Sequence, residues 1–230
     1  MSISSDPGTT TSPVFRNSYV GLRGNWGTLA LGRLDSANPT GSPIYSQITS
    51  LSHFAPNDAG ATASSGTMQN ARNRTSDSIG YASPKIGGMT VRARMYFRGA
   101  GTATQPEDAA KATDLGLEYQ TGQLKAAIAY AKDTRTGGLN NNEFSDKWQV
   151  GVNYQVQKEW DVYLLGGLDT YKNTSTTRQD FEYTLVGTSY TMGQHKVVLN
   201  TIKRDVQSSI TGVRTNVNVR AIGLGVRHNF

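Results

Sequence analysis

One ten-residue stretch sets the architecture of this chain: Met89-Thr90-Val91-Arg92-Ala93-Arg94-Met95-Tyr96-Phe97-Arg98. Its apolar and polar side chains alternate along the sequence. Because successive residues of a β-strand point to opposite sides of a sheet, the stretch predicts a strand with one apolar and one polar face. Residues 147–156 repeat the pattern, with Trp148 and Val150 on one face and Lys147 and Gln149 on the other.

Eleven runs of about ten residues with this alternation follow one another from Phe15 onward. Clusters of Gly, Pro, Asn and Asp separate them, as between the strands of an antiparallel sheet. The predicted strands cover residues 15–24, 26–34, 75–83, 88–98, 113–121, 123–132, 147–156, 159–170, 181–191, 195–205 and 217–230.

Composition excludes several classes of protein. Of the 230 residues, 36% are hydrophobic and 17% charged, and Gly (25) and Tyr (11) are abundant, which suits strands and turns and argues against an all-helical fold. No stretch reaches the ~18 apolar residues of a transmembrane helix. The absence of cysteine removes disulfides, thiolate nucleophiles and cysteine metal sites. Residues 1–8 have neither the basic nor the apolar region of a signal peptide.

Connection lengths distinguish a membrane barrel from a soluble β-sandwich, which periodicity alone leaves open. Short connections at 84–87, 122, 157–158 and 192–194 alternate with long polar ones at 99–112, 133–146, 171–180 and 206–216. This alternation is typical of an up-and-down barrel whose two ends face different compartments. Aromatic residues lie mainly near the ends of the predicted strands, as in interfacial girdles.

Three segments resemble the general porins of β-proteobacteria, a Gram-negative outer-membrane family. Residues 18–33 (SYVGLRGNWGTLALGR) resemble the hairpin before that family's constriction loop. Residues 78–84 (SIGYASP) resemble the strand after the loop, and residues 226–230 (VRHNF) resemble the family's terminus with its final Phe.

The resemblance implies a division of the chain into an irregular segment, 1–14, and a porin β-barrel domain, 15–230. Within the domain, residues 35–74 would fold into the lumen as a constriction loop, although they have no clear strand or helix period of their own. This loop would carry Asp35, Asp58, Arg72 and Arg74 as its charged residues. Phe230 would be the signal that the barrel-assembly machinery reads.

Basic residues on the polar faces predict a pore with a preference for anions. Three arginines lie on the polar face of the strand that follows the loop, and water in a lumen together with an acidic loop opposite would relieve their repulsion. Arg33 needs a twist or bulge to reach that face, since strict alternation places it with Leu29 and Leu31. The predicted pore-lining residues are Arg23, Arg33, Arg92, Arg94, Arg98, Lys125 and Arg227.

The sequence therefore predicts an outer-membrane diffusion porin for small hydrophilic anionic or neutral solutes, with outer-membrane lipids around it and a homotrimeric assembly when complete. The alternative is a soluble or surface all-β binding module or adhesin without a pore. An enzyme is not expected, because His53, His195 and His228 are scattered and lack a catalytic motif. No cofactor, metal or nucleic-acid partner is expected either, although the net charge is +6.

Counting connections back from Phe230 makes the first and last predicted strands run in the same direction. Eleven strands then cannot close by antiparallel pairing, and residues 1–14 are a poor twelfth strand. Since bacterial single-chain barrels have even strand numbers, the sequence predicts an incomplete barrel that lacks at least one, and by resemblance three, amino-terminal strands. Strand 15–24 is expected to have an open edge or a parallel partner.

Overall fold

The computed structural model of the chain describes residues 5–6, 14–15, 18–35, 40–52, 74–97, 110–135, 143–174, 177–210 and 212–228. Two residue pairs, Ser5–Asp6 (β1) and Val14–Phe15 (β2), form a small antiparallel ladder separate from the main sheet. Residues 1–14, predicted to be irregular, therefore contain one short strand and part of its partner. The predicted first strand, 15–24, begins at Ser18 in the main sheet.

The main sheet contains eleven antiparallel strands, which confirms the predicted number and fold class. Each strand pairs with its neighbours in sequence, so the topology is a simple up-and-down meander. The strands are β3 (Ser18–Gly24), β4 (Gly27–Asp35), β5 (Arg74–Ala82), β6 (Met89–Phe97), β7 (Ala110–Thr121), β8 (Leu124–Arg135), β9 (Glu143–Gln157), β10 (Trp160–Thr174), β11 (Thr177–Met192), β12 (His195–Ile210) and β13 (Val213–His228).

Two of the predicted long connections are wrong. Residues 171–180 and 206–216 are mostly strand, and only 175–176 and 211–212 separate β10 from β11 and β12 from β13. Backbone pairing continues through both polar segments. In β10–β11 it runs from Tyr171↔Gln179 to Thr174↔Thr177 with one register shift after Lys172, and in β12–β13 it runs without a shift from Val206↔Val217 to Ile210↔Val213. Backbone hydrogen bonds do not require an apolar face, so the ladder extends beyond the alternating pattern that predicted it.

The turns at the opposite end of the sheet are tight, as predicted. Gly122 and Gly193 have φ values of +47° and +60° in the connections between β7 and β8 and between β11 and β12. Glycine occupies such left-handed positions without the steric penalty of a side chain. These turns place the β7–β8 and β11–β12 pairs in direct register from their first residues, Thr121↔Leu124 and Met192↔His195.

One helix, α1 (Pro43–Ser52), interrupts the long connection between β4 and β5. The prediction of a segment without helix or strand is therefore wrong for this part of 35–74. The loop is also shorter than predicted at both ends, because Asp35 is the last residue of β4 and pairs with Arg74, the first of β5. Within the described residues, no helix has the length and apolar character needed to cross a membrane.

Strands β3 and β13 are the two edges of the sheet, and among the described residues they do not pair with each other. The open edge predicted for the first strand is thus observed. Every residue of β3 is exposed, as is most of β13. The sheet's buried residues lie on the strands between these edges.

Candidate functional site

The two faces of the main sheet differ in chemistry. The apolar face, defined by the side chains that share a side with Val91, Leu117, Val150 and Leu164, exposes large hydrophobic residues along its whole width. On β13 the same face carries Ile222, which is 81% exposed. An exposed apolar surface of this extent on a β-sheet is typical of strands that contact lipid.

Aromatic residues form a row on the apolar face close to the short turns. Trp26 and Tyr81 stack with ring centroids 6.3 Å apart, and the Tyr81 hydroxyl donates a hydrogen bond to the Trp26 carbonyl at 2.7 Å. Tyr and Trp combine an apolar body with a polar tip, and so favour the membrane–water boundary. The row contains Trp26, Tyr81, Tyr119, Tyr154, Trp160 and Tyr190.

The opposite face, called the helix-side face here, carries α1. Ser42 and Pro43 begin the helix, because proline is pre-organised for the first helical position and the Ser42 carbonyl accepts the first helical bond, from Ser46 N at 3.1 Å. Ile44 and Leu51, two turns apart on α1, are almost fully buried against the sheet. The helix contacts β7, β8, β9 and β10.

Side-chain amides of the sheet hold α1 in place. Gln149 Nε2 donates to the Ile44 carbonyl at 3.1 Å, and Asn153 Nδ2 donates to the Leu51 carbonyl at 2.8 Å. From the helix, Gln47 Nε2 donates to the Ile128 carbonyl at 3.3 Å. The Tyr183 hydroxyl donates to Gln149 Oε1 at 2.7 Å and so orients the amide that holds the helix.

Glycines allow the close approach of the helix and its preceding turn. A Cβ atom on Gly116 would overlap the ring of Pro43, and one on Gly80 would overlap the backbone of Thr40. A Cβ on Gly151 would lie 2.8 Å from Leu51 Cδ1. The sheet is therefore shaped to receive this segment at three of its strands.

The predicted arginine row lies on the helix-side face, but acids of the next strand neutralise it. Arg94 Nε donates to Asp114 Oδ2 at 2.8 Å, and both side chains are buried. Arg92 forms a 3.2 Å ion pair with Glu118 and donates to Ser46 Oγ of α1 at 3.4 Å. Among the described residues, β7 provides the carboxylates that pair with Arg92 and Arg94. The predicted contribution of an acidic loop stays a prediction, because Asp58 lies outside the described part of the chain.

A second charged cluster lies farther along the same face. Lys147 on β9 is directly opposite Asp169 on β10, and both are buried. Arg204 on β12 lies over the ring of Phe181, 5.1 Å from its centroid. Sequence reasoning missed Lys147, Asp169 and Arg204 as a group because only the strand register brings them together, although each occupied a polar position in an alternating run.

The remaining predicted pore residues differ in their position. Lys125 pairs in register with Asn153 and Arg227 with Lys196, so both lie on the helix-side face, and Arg23 shares that face on edge strand β3. The register irregularity near Arg33 places the extra residue in β5, between Gly32↔Ser78 and Leu34↔Thr75. β4 therefore keeps its alternation, and Arg33 stays on the face of Leu29 and Leu31.

Some predicted residues lie outside the described part of the chain: Asp58, Arg72, Arg98 and Phe230. Asp35 and Arg74 are described as paired strand residues only. Their predicted roles remain predictions.

The charge balance of the helix-side face is positive among the strand side chains that the structure describes. Four acids lie there: Asp114, Glu118, Asp161 and Asp169. Eight bases share the face: Arg23, Arg92, Arg94, Lys125, Lys147, Lys196, Arg204 and Arg227. Like charges on one wall produce a potential that attracts the opposite ion.

The three histidines are scattered along the sequence, but two of them, His195 and His228, lie side by side in the structure. His195 is the first residue of β12 and pairs in register with His228 of β13. Their Nδ1 atoms are 3.3 Å apart and their ring centroids 4.6 Å apart. Within the described ranges, no group of three or more His, Asp or Glu side chains is arranged to hold a metal ion.

An apolar face with an aromatic row, a charged opposite face and an up-and-down meander together define a protein of the outer-membrane β-barrel class. Comparison with protein families agrees: residues 3–230 match the Gram-negative porin family. The chain belongs to this family, and the family and fold place it in the bacterial outer membrane.

Similar proteins support the assignment at the level of sequence and fold. A monosaccharide porin of a Halomonas species is 28% identical over 144 residues, which cover 60% of this chain and 38% of that protein. An anion-selective porin from Comamonas acidovorans superposes with a TM-score of 0.63 and 18% identity, covering 97% of this chain and 80% of that one. An OmpT of Vibrio cholerae that lacks loop L8 superposes with a TM-score of 0.67 and 14% identity, covering 95% and 70%.

Proposed function

We propose that the protein is a passive diffusion channel for small hydrophilic solutes, with a preference for anions. The observation that carries this proposal is the positive balance of the helix-side face, opposite a face suited to lipid. Charge lining a narrow passage sets ion selectivity without any chemical step. The anion selectivity stated for the Comamonas acidovorans porin, which has a similar fold, agrees with this direction.

In this proposal α1 and its flanking residues form the constriction. The helix lies against four strands of the charged face and is fixed there by Gln149 and Asn153. A fixed helix narrows the passage to a defined width, whereas an unattached segment would let the width vary. The predicted residues Asp58, Arg72 and Arg98 would complete the charged rim of this constriction. Formation of a trimer through part of the apolar face remains a prediction.

The basic residues of the helix-side face should contribute unequally to anion selectivity, because only some of them form ion pairs. Arg92 and Arg94 have carboxylate partners, so their contribution to the field is largely balanced. Lys125 and Arg227 have no described carboxylate within ion-pair distance, and both are on the helix-side face. We therefore expect selectivity to depend more on Lys125 and Arg227 than on the arginine row.

The test is the reversal potential of the purified protein in planar bilayers under a KCl gradient. Wild type should prefer chloride over potassium. Lys125→Gln should weaken that preference because it removes one unbalanced positive charge, and Glu118→Gln should strengthen it because it leaves Arg92 unbalanced. Both variants remove one charge, so their opposite effects separate electrostatics from a change in pore width.

Arg220→Gln provides the control, since Arg220 pairs in register with Lys203 on the apolar face. It should leave the reversal potential unchanged. A cation-selective wild type, or shifts of the same sign for Lys125→Gln and Glu118→Gln, would contradict the proposed anion preference. Absence of any conductance from folded protein would contradict the channel itself.

A further inference from the structure

Two histidines face each other at the end of the sheet that carries the short turns. His195 opens β12 and His228 closes β13, and the two residues are directly opposite in register. Both rings are exposed, and their Nδ1 atoms approach to 3.3 Å. Two imidazoles with converging ring nitrogens on adjacent strands form a rigid pair of nitrogen donors, because the backbone ladder fixes their separation.

The spacing suits a tetrahedral metal ion. Zinc binds imidazole nitrogen at about 2.0–2.1 Å, and two such bonds at a tetrahedral angle place the nitrogens about 3.3–3.4 Å apart. The observed separation of 3.3 Å matches this value without movement of either strand. The same approach also fits a hydrogen bond between the two Nδ1 atoms, which a metal ion bound to both atoms would replace.

The surroundings of the histidine pair are less positively charged than the neighbouring residues in the sequence suggest. Lys196 and Arg227 adjoin the two histidines in sequence, but strand alternation places them on the helix-side face, away from the pair. On the other flank, Met192 of β11 lies in register with His195 and is 53% exposed. Met192 therefore brings no charge that would repel a cation at the pair.

We propose that His195 and His228 form a binding site for a divalent transition-metal ion of the Zn²⁺ or Cu²⁺ type, which links β12 to β13. The two nitrogens occupy two coordination positions, and water fills the remaining ones. Because the ion joins the last two strands at one end, it resists their separation. The site is independent of the proposed channel and lies on the opposite face of the sheet.

The experiment uses the full chain without a polyhistidine tag, refolded in detergent, with Zn²⁺ alone as the probe. Isothermal titration should show one bound Zn²⁺ per chain. His195→Gln and His228→Gln should each weaken binding at least tenfold, since each leaves a single imidazole. His53→Gln is the matched control, because it removes the third histidine of the chain, and it should leave the affinity unchanged.

A second measurement needs no variant. Cu²⁺ bound to wild-type protein should show electron paramagnetic resonance hyperfine structure from two equivalent nitrogens. This measurement uses only the wild-type protein, so it remains informative even if His228→Gln impairs assembly near the carboxy terminus. The proposal is overturned if wild type binds no Zn²⁺, if His53→Gln weakens binding as much as His195→Gln does, or if the copper spectrum shows fewer than two nitrogens.

Discussion

The strands under α1 and the strands at the sheet edges share one sequence pattern but differ in what surrounds them. On β9, the polar residues Gln149 and Asn153 are 2% and 4% exposed, because the helix covers them and accepts their hydrogen bonds. On β3 every residue is exposed, and on β13 the residues are exposed or half-buried and none is buried. The pattern therefore determines which way a side chain points, whereas the chain segment packed above it determines its burial.

The difference in burial should appear most strongly at ion pairs. Asp114→Ala removes the carboxylate that pairs with the buried Arg94, and we expect a loss of about 3–5 kcal/mol in the free energy of unfolding, because a buried charge loses this ion pair. Arg178→Ala breaks the exposed Arg178–Asp180 pair, leaves Asp180 its hydrogen bond from Thr170, and should cost under about 1 kcal/mol. Urea unfolding in detergent, followed by tryptophan fluorescence, measures both. Equal losses would show that water reaches Arg94 as readily as Arg178.

A smaller effect is expected where the sheet receives the helix. Gly116→Ala should destabilise the fold by about 1–3 kcal/mol, because the added methyl group meets the rigid ring of Pro43. Gly166→Ala is the control, since its Cβ would meet only the Tyr183 carbonyl, at 3.6 Å. Single-channel conductance should change for Gly116→Ala and not for Gly166→Ala. Unchanged conductance and stability in Gly116→Ala would show that α1 can shift without consequence.

The smallest effect concerns one hydroxyl group. Tyr183→Phe removes the hydrogen bond to Gln149 and should lower the free energy of unfolding by about 1 kcal/mol. Tyr190→Phe removes a hydroxyl from a residue of the apolar face that is 48% exposed, and should have less effect. Broader distributions of single-channel conductance are also expected for Tyr183→Phe, because Gln149 then holds the helix less firmly. A narrow distribution, as in wild type, would argue against this orienting role.

The eleven strands were predictable because each has an alternating pattern that can be read locally. The helix was missed because its buried positions are few and two of them, Gln47 and Ser52, are polar. Ser42-Pro43 followed by Ile44 and Leu51 nevertheless contained a usable signal. Ion pairs such as Arg94–Asp114 depend on register between strands, which a single sequence does not state. The same reason explains the His195–His228 pair, whose members are 33 residues apart in the chain.

Strand lengths are unequal around the sheet: β6 has 9 residues, whereas β11, β12 and β13 have 16 each. At about 3.3 Å per residue and a tilt of about 40°, sixteen residues rise roughly 40 Å, beyond an apolar band about 25 Å tall. These strands therefore extend beyond the apolar band as a continuous hydrogen-bonded sheet. Arg178 and Asp180 lie in this extension. A solute that approaches from that side therefore meets charged side chains on a rigid sheet. Amide hydrogen exchange in the extension should be slow.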